Sequence, residues 1–321
     1  MQSCRRLLAL LCAILLTPVY QASGQDSPSP SPAIAPKVEA AAEPGGVRRA
    51  LIVCGLPGDA EHRELFAGTI EKLYGALTGR LGFPAENVAV LFSDEATEKD
   101  GPALQANRGP ATREKLAETA AALIEAVPPA DAVWVFVLGH AHFDGRNCWL
   151  NLPGPDVNQV EFGKLFASLK CREQVFFITT PASGYYLRPL SAAGRIVITA
   201  TEPDYEVNET RFPHKLAAAL AEPPPLAEFD IDGDGRPTLF DAYLWSARET
   251  AQEFASGELL ATEHALLDDN GDGRGAEVQN DYLSEELGGR RRAGRSLPLP
   301  RAGDGALARE TVLPDSPAAA R

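Results

Sequence analysis

Apolar runs and amphipathic segments alternate along the middle of this chain, and their order predicts an α/β fold. Short runs rich in β-branched and aromatic residues are typical of buried strands, and they cover residues 49–55, 87–93, 131–138, 174–179 and 195–200. Segments with helical spacing of apolar residues separate them, at about 61–80, 112–127, 158–169 and 212–221. This alternation predicts one three-layer domain over residues 49–222, with a mostly parallel sheet flanked by helices.

The third apolar run leads directly to a candidate functional residue. Residues 133–138 are apolar without interruption, and Gly139 and His140 follow them at once. Because open α/β sheets bind ligands at the carboxyl ends of their strands, the sequence predicts that His140 lies at a functional edge. The sequence contains no phosphate-binding Gly-x-x-x-x-Gly-Lys string, no His-Glu-x-x-His and no Gly-x-Ser-x-Gly.

The first 48 residues are predicted to lie outside this domain. Arg5 and Arg6 precede an apolar run over residues 7–16, and the small residues Ala22-Ser23-Gly24 come after it, which is typical of a signal peptide over residues 1–24 cleaved near Gly24. The run is too short to span a bilayer. Residues 25–48, rich in Ser, Pro, Ala and Gly, predict a disordered linker. We therefore expect an exported protein, secreted or periplasmic, that does not span the membrane.

Charge is distributed unevenly along the chain. The sequence has 44 Asp and Glu against 30 Lys and Arg, a net charge of −14. This acidic balance argues against nucleic acid as a partner and favours the uptake of cations. From Arg290 onward, however, seven arginines stand against three acidic residues, among many Pro, Gly and Ala. Residues 288–321 are therefore predicted to form a disordered basic tail.

Three cysteines follow the predicted signal peptide, namely Cys54, Cys148 and Cys171. An odd number in an exported protein leaves at least one thiol without a partner in its own chain. Cys54 lies in the first predicted strand, where it is expected to be a small buried hydrophobic residue. The sequence leaves open whether Cys148 and Cys171 form a disulfide.

Residues 223–287 begin with three prolines and are predicted to form a small helical appendage with two acidic loops. In the first loop, oxygen-bearing residues occupy positions 1, 3, 5, 7, 9 and 12, the ligand positions of an EF-hand-type calcium loop. They are Asp230, Asp232, Asp234, Arg236 (through its backbone carbonyl), Thr238 and Asp241. The string resembles EF-hand and dockerin-type loops, and it predicts calcium as a ligand. The alternative is a solvated turn of Asp and Gly residues.

The second acidic loop repeats part of this pattern. Its positions 1, 3 and 5 carry Asp268, Asn270 and Asp272, but position 12 carries Gln279. Without a bidentate carboxylate at position 12, this loop is expected to bind calcium more weakly than the first.

Several strings in the domain have counterparts in one peptidase family. Residues 136–145 read Phe-Val-Leu-Gly-His-Ala-His-Phe-Asp-Gly, and residues 177–184 read Phe-Ile-Thr-Thr-Pro-Ala-Ser-Gly. They resemble the third and fourth strands of the caspase-like and legumain-like cysteine peptidases, which end in a catalytic His-Gly pair and in Glu-Ala-Cys-x-Ser-Gly. Residues 50–55, 87–94 and 196–201 are similar to three further strands of that family. The resemblance implies a caspase-like fold with a cysteine-endopeptidase site at the carboxyl edge.

The same resemblance implies that this site has lost its nucleophile. His140 takes the position of the catalytic base, and Pro181 takes that of the cysteine. Proline offers neither a nucleophile nor a backbone N–H. We therefore expect a degenerate, non-catalytic peptidase homologue that acts in binding or regulation with a protein or peptide partner. The alternative is an active hydrolase in which Ser183 replaces the cysteine, although a serine there is also typical of a turn or a helix cap.

A further alternative for an active hydrolase involves a metal. His140, His142 and Asp144 alternate along the chain in a way similar to the ligand string of metallo-β-lactamase-type hydrolases, and such side chains bind zinc. Gly145 stands where that string has its last histidine, and the predicted elements lack a sandwich of two sheets. Zinc is therefore the less favoured interpretation.

Overall fold

The computed structural model describes residues 46–95, 97–106, 108–203, 205–283 and 303–314. The predicted signal peptide, almost all of the predicted linker and residues 288–302 and 315–321 of the predicted tail lie outside the described residues. No helix among the described residues combines the length and apolar character that crossing a membrane requires.

A seven-stranded sheet forms the centre of the molecule, and all five predicted strands belong to it. Its strands are β1 (Arg48–Cys54), β2 (Val88–Phe92), β3 (Arg108–Gly109), β4 (Ala132–Leu138), β8 (Glu173–Ile178), β9 (Arg195–Thr199) and β10 (Leu266–Asp268). They lie in the order β10-β9-β8-β4-β1-β2-β3. All neighbouring pairs are parallel except β9 and β10, which are antiparallel.

Helices cover both faces of this sheet, which confirms the prediction of a mostly parallel sheet flanked by helices. The helices are α1 (Ala60–Thr78), α2 (Pro102–Ala106), α3 (Arg113–Ala126), α4 (Gln159–Leu165), α5 (Leu187–Leu190), α6 (Phe212–Ala221), α7 (Leu226–Phe229), α8 (Leu239–Ser256), α9 (Gln279–Tyr282) and α10 (Ala306–Glu310). The apolar residues form two cores. Side chains of α1, α6 and α8 pack on one face of the sheet, and those of α3, α4 and α5 pack on the other.

Alternation along β4 explains why this strand is apolar throughout. Trp134, Phe136 and Leu138 belong to the core beneath α1 and α6, whereas Val133, Val135 and Val137 belong to the opposite core. Successive side chains of a strand point to opposite faces, so a strand covered on both sides needs apolar residues at every position.

A small antiparallel sheet follows β4 and corresponds to the segment around Cys148 that connects β4 to α4. It consists of β5 (Ala141–Phe143), β6 (Cys148–Leu150) and β7 (Val157–Asn158), in that order. Because β5 begins one residue after His140, the sheet fixes the chain on one side of that histidine.

The structure differs from the predicted appendage over residues 223–287. The strand β10, which the sequence did not predict, pairs with β9 and so extends the central sheet. Phe240, Tyr243 and Leu244 of α8 are fully buried in the same core as α1 and α6. This region is therefore part of the α/β unit, because its apolar residues cover one face of the sheet instead of forming a core of their own.

The structure also differs from the predicted disordered tail, since residues 303–314 pack on the body. Leu313 and Ala308 are buried, and Leu239 donates a backbone hydrogen bond to Thr311. The Asp269 carboxylate accepts hydrogen bonds from the amides of three residues at the start of α10, namely Gly305 (2.8 Å), Leu307 (2.8 Å) and Ala308 (3.0 Å). Residues 303–314 therefore form a short segment held by specific hydrogen bonds, although their composition predicts disorder.

Candidate functional site

The end of β4 delivers His140 to the carboxyl edge of the sheet, as the sequence predicted. Gly139 connects them with a φ of +103°, a conformation that a residue with a Cβ adopts only under strain. A Cβ on Gly139 would also lie 3.2 Å from the Cys54 sulfur. The glycine thus permits the sharp change of direction between a buried strand and a half-buried histidine.

A backbone carbonyl orients the His140 ring. Its Nε2 lies 2.9 Å from the Pro57 oxygen, at the end of the loop that follows β1. Because a carbonyl only accepts, Nε2 must carry the proton and donate, which leaves Nδ1 of the neutral ring as a proton acceptor. The edges of the His62 and Phe66 rings hold the imidazole from the side, with centroids 4.9 and 5.3 Å away. His140 therefore has the orientation of a general base, with Nδ1 left to accept a proton.

The chain after β8 offers this base no nucleophile at Pro181, the position that the peptidase resemblance assigns to the cysteine. Pro181 follows Thr179 and Thr180 and is buried, and its carbonyl accepts a weak hydrogen bond from the Cys148 thiol at 3.6 Å. The Thr179 hydroxyl donates to the Val137 carbonyl at 2.8 Å. Ala182 then adopts a left-handed conformation with a φ of 52°. This turn bends the chain into the single 3₁₀ turn Ser183–Tyr186.

Ser183, the candidate substitute nucleophile, is placed in the interior instead. Its side chain is fully buried, and its Oγ lies 2.9 Å from the Thr201 hydroxyl. The same Oγ accepts hydrogen bonds from the amides of Ala200 and Thr201, both at 3.1 Å. With these partners and no exposure to solvent, the hydroxyl joins the segments that follow β8 and β9.

The described cysteines are free thiols, and their environments oppose ionisation. Burial raises the pKa of Cys148 to about 12 and that of Cys171 to about 11, and it raises the pKa of fully buried Cys54 even further. Since the thiolate is the reactive form of cysteine, these thiols are structural near neutral pH. Cys148 lies close to Pro181 but inside the core.

The proposed zinc ligands have separate partners. His142 Nδ1 lies 2.7 Å from the Asn151 side chain, and His140 bonds the Pro57 carbonyl. Asp144 closes a turn by accepting from the amides of Arg146 and Asn147, and it also accepts from the Trp149 indole at 2.7 Å. These contacts tie His142 and Asp144 to the small sheet and its turns, and His140 to the loop after β1.

A second histidine, which the sequence did not single out, joins two loops of the same edge. His62 Nδ1 lies 2.8 Å from Asp59, and His62 Nε2 lies 2.8 Å from Glu209. Both carboxylates accept, so both contacts form as hydrogen bonds only when the ring carries two protons. The bond to Asp59, followed by that to Glu209, raises the pKa of His62. Because Glu209 follows His62 by 147 residues, no local pattern indicates the pair.

The first acidic loop brings its early carboxylates together. Carboxylate oxygens of Asp230, Asp232 and Asp234 lie within 4.8 Å of one another, the only such group of potential metal ligands in the part of the chain that the structure describes. Gly233 and Gly235 have φ values of 74° and 83°, which favour glycine. Asp230 accepts hydrogen bonds from the amides of Asp234 and Gly235 and so closes the loop.

The second acidic loop folds in the same way. Gly271 and Gly273 have φ values of 79° and 74°, and both donate their amides to Asp268, at 3.1 and 3.0 Å. At position 12, however, Gln279 is buried and donates its side-chain amide to the Ala265 carbonyl. The two loops thus share a backbone and differ where the last ligand is expected.

Positions 9 and 12 of the first loop form a helix cap. Thr238 and Asp241 make a capping box at the start of α8, in which Asp241 accepts from the Thr238 amide at 3.0 Å. The other Asp241 oxygen accepts from the Ile231 amide, also at 3.0 Å, and burial raises the pKa of Asp241 to about 7. Asp241 does not belong to the cluster of three carboxylates, and its two oxygens accept from amides of the loop and of the helix cap.

Arginines neutralise part of the first loop. The side chain of Asp232 is fully buried and pairs with Arg309 at 2.5 Å. Arg236, predicted to contribute its carbonyl, also pairs through its guanidinium with Asp234 at 2.9 Å. Arg309 lies 77 positions after its partner Asp232, so no local sequence pattern indicates this pair.

No protein-family model matches this chain, and a search of curated proteins also finds no match. The functional interpretation therefore depends on the geometry of the sites described above.

Proposed function

We propose that this chain is an exported, non-catalytic homologue of the caspase-like and legumain-like peptidases, and that it binds a peptide or protein segment at the carboxyl edge of its sheet. One observation carries the proposal. His140 is oriented as a base by the Pro57 carbonyl, while buried Pro181 stands three residues after the end of the neighbouring strand β8. A peptidase of this kind needs a base and a nucleophile together.

The neighbouring hydroxyl and thiol groups support the loss of catalysis. Ser183 and Thr179 use their hydroxyls in buried hydrogen bonds, and Cys148 is a buried thiol whose pKa is raised to about 12. The sheet order also supports the family assignment, because β8, β4, β1 and β2 are consecutive parallel strands and the β4–β8 pair places the ends of those two strands side by side. A peptide bound at this edge would meet an oriented imidazole without being cleaved.

A binding experiment tests this function. Peptides selected from a random displayed library against the 321-residue chain should bind wild-type protein, and replacing exposed Leu56, beside Pro57, by Asp should weaken binding about tenfold or more. The matched control is Val160→Asp, at a similarly exposed aliphatic residue in α4. Equal binding by both variants would place the peptide elsewhere, and cleavage of the selected peptides would show that the edge is catalytic.

A second candidate function is calcium binding by the acidic loops. The observation in its favour is the shared loop backbone together with the three clustered carboxylates of the first loop. Asp230, Asp232 and Asp234 fit a hard cation because they offer oxygen ligands, and Arg236 adds its carbonyl in the predicted scheme. Calcium would stabilise the loop through charge neutralisation at the start of α8.

The calcium candidate is tested by thermal unfolding. Millimolar calcium should raise the melting temperature of wild-type protein, since a ligand at 100 times its Kd stabilises a fold by about 2.7 kcal/mol. Asp230→Ala and Asp234→Ala should remove the rise, whereas Glu258→Ala, at an exposed residue outside both loops, should retain it. An unchanged melting temperature for wild-type protein would eliminate this function.

A further inference from the structure

A cavity of about 650 Å³ lies next to the carboxyl edge. Its walls come from α1, the loop before α6, the start of α6, the end of α8 and the loop over residues 259–262. Its volume falls within the range of protein ligand sites. His62 links it to the edge, because this residue contacts the His140 ring and also bonds Glu209 in the cavity wall.

Exposed apolar side chains are concentrated at this cavity. Ten large apolar side chains are exposed among the described residues, and Leu65, Leu259 and Leu260 all line this one site. Leu260 is 85% exposed, the highest value for any leucine in that group. Phe254 lies behind them and is almost fully buried. Covering three leucines would remove apolar surface from water, which contributes about 25 cal/mol for each Å².

The charged groups of the wall already have partners. Arg211 pairs with Glu253 at 3.1 Å, and Lys215 pairs with the second oxygen of Glu253 at 2.6 Å. The Arg211 guanidinium also lies over the Phe254 ring, 4.5 Å from its centroid. Glu209 is bonded to His62. A charged ligand would have to compete with these internal pairs, whereas an apolar ligand leaves them intact.

The histidine in the wall is uncharged as well. His214 Nδ1 lies 2.7 Å from the Thr69 hydroxyl, which itself donates to the Leu65 carbonyl. The hydroxyl therefore accepts from Nδ1–H, so that the neutral ring carries its proton on Nδ1. Burial lowers the pKa of His214 to about 4, in agreement with this arrangement. The charged groups of the wall are thus paired and its histidine is uncharged, next to the apolar side chains of Leu65, Phe254, Leu259 and Leu260.

We infer that this cavity binds an uncharged apolar side chain of leucine size or larger, supplied by the peptide that docks at the carboxyl edge. The choice of an apolar occupant follows from the three exposed leucines and from the internal pairing of Arg211, Glu253 and Glu209. The assignment of that side chain to a docked peptide rests on the proposed function; the apolar preference of the cavity itself does not.

The preference can be measured with small probes on the whole chain. N-acetyl-leucinamide, N-acetyl-lysinamide and N-acetyl-glutamate amide are each titrated into isotopically labelled protein and followed by amide chemical shifts. Only the leucine probe should shift residues 208–214 and 253–262, with a Kd on the order of millimolar for so small a ligand. Leu260→Ser should weaken this binding about tenfold, and the exposed control Val160→Ser should leave it unchanged.

The outcomes separate this inference from the proposed function. Equal shifts with the lysine probe, or no shifts with the leucine probe, would overturn the apolar cavity. A selected peptide that loses affinity in Leu56→Asp but not in Leu260→Ser would overturn the inference and support the proposed function. Leucine-probe binding in a protein that binds no peptide at its edge would support the apolar cavity and reject the proposed function.

Discussion

The carboxyl edge and the first acidic loop each contain only some of the residues that a known chemistry requires. The two sites differ in how far apart along the chain those residues lie. At the edge, His140 and Pro181 come from strands whose pairing joins distant segments of the chain. In the loop, Asp230, Asp232 and Asp234 lie within five consecutive residues. The edge keeps an oriented base beside a strand end without a nucleophile, whereas the loop keeps its early ligands and assigns its last one to a helix cap.

This difference shows what each site depends on. The edge depends on long-range hydrogen bonds, such as those from Ala200 and Thr201 to Ser183, which hold two strand ends together. The loop depends on local backbone turns plus one distant arginine, Arg309, which neutralises buried Asp232. A change at either distant contact should therefore affect stability more strongly than a change at an exposed residue.

The largest effect is expected in the loop, at Arg309. Arg309→Met keeps the apolar part of the side chain but leaves the buried Asp232 carboxylate unpaired, so the free energy of unfolding should fall by about 3–5 kcal/mol at neutral pH. Arg236→Met removes the exposed pair with Asp234 and should change it by less than about 1 kcal/mol. Urea unfolding measures both. Similar losses for the two variants would show that the Asp232 pair contributes no more than a surface contact.

The next effect concerns the edge, at Ser183. Ser183→Ala leaves the buried Thr201 amide without an acceptor and the Ala200 amide with the Ile178 carbonyl alone, so we expect a loss of about 1–3 kcal/mol in the free energy of unfolding. Ser256→Ala, at an exposed hydroxyl near the end of α8, should have little effect. Calorimetry checks the pair. A Ser183→Ala protein of wild-type stability would contradict the structural role and make a chemical role for this hydroxyl worth testing.

A pH-dependent effect is expected at Glu263, which accepts from the amides of Arg211 and Phe212 beside the edge. Burial raises the pKa of this carboxyl from 4.5 to about 7. Between these values the unfolded chain ionises first, so Glu263 reduces stability as the pH rises from about 4.5 to 7, by up to about 3 kcal/mol. Glu263→Gln should remove this part of the pH dependence. Parallel stability curves for variant and wild type over pH 4.5–8 would contradict it.

The smallest effect compares the two acidic loops. The first has carboxylates at positions 1, 3 and 5, whereas the second has Asn270 at position 3 and Gln279 at position 12. Asp230→Ala should therefore remove most of a calcium-induced rise in melting temperature, and Asp268→Ala should remove less, a difference of about 1–2 kcal/mol in ligand stabilisation. A larger loss for Asp268→Ala would reverse the ranking of the loops.

The sequence allowed prediction wherever the physical cause is local. Continuous apolar runs identified β1, β2, β4, β8 and β9 because a strand covered on both faces is apolar at every residue. The spacing of Asp and Gly identified both acidic loops because the turns of each loop are formed by residues that are close together in the sequence. The three residues of β10 were missed, since so short a strand is defined by its pairing with β9 and not by a pattern of its own.

The parts of the sites that were not predicted are contacts between distant residues. The Pro57 carbonyl that orients His140, the bond between His62 and Glu209 and the pair of Asp232 with Arg309 each join residues at least 77 positions apart. The sequence marked Ser183 as a hydroxyl near the strand end, but its burial follows from the packing of β8 against β9. The sequence indicated which residue types could take part in each site. The exposure of those residues to solvent and their hydrogen-bond partners depend on the fold.

The central claim is that the carboxyl edge binds without cleaving, and one measurement tests it most directly. The 321-residue chain and its His140→Ala variant are each incubated with a diverse peptide mixture, with and without calcium, and new peptide termini are counted by mass spectrometry. We predict that neither protein produces new termini above the level of a blank, so that the two are indistinguishable. Termini that wild-type protein generates and His140→Ala does not would show that the edge is catalytic.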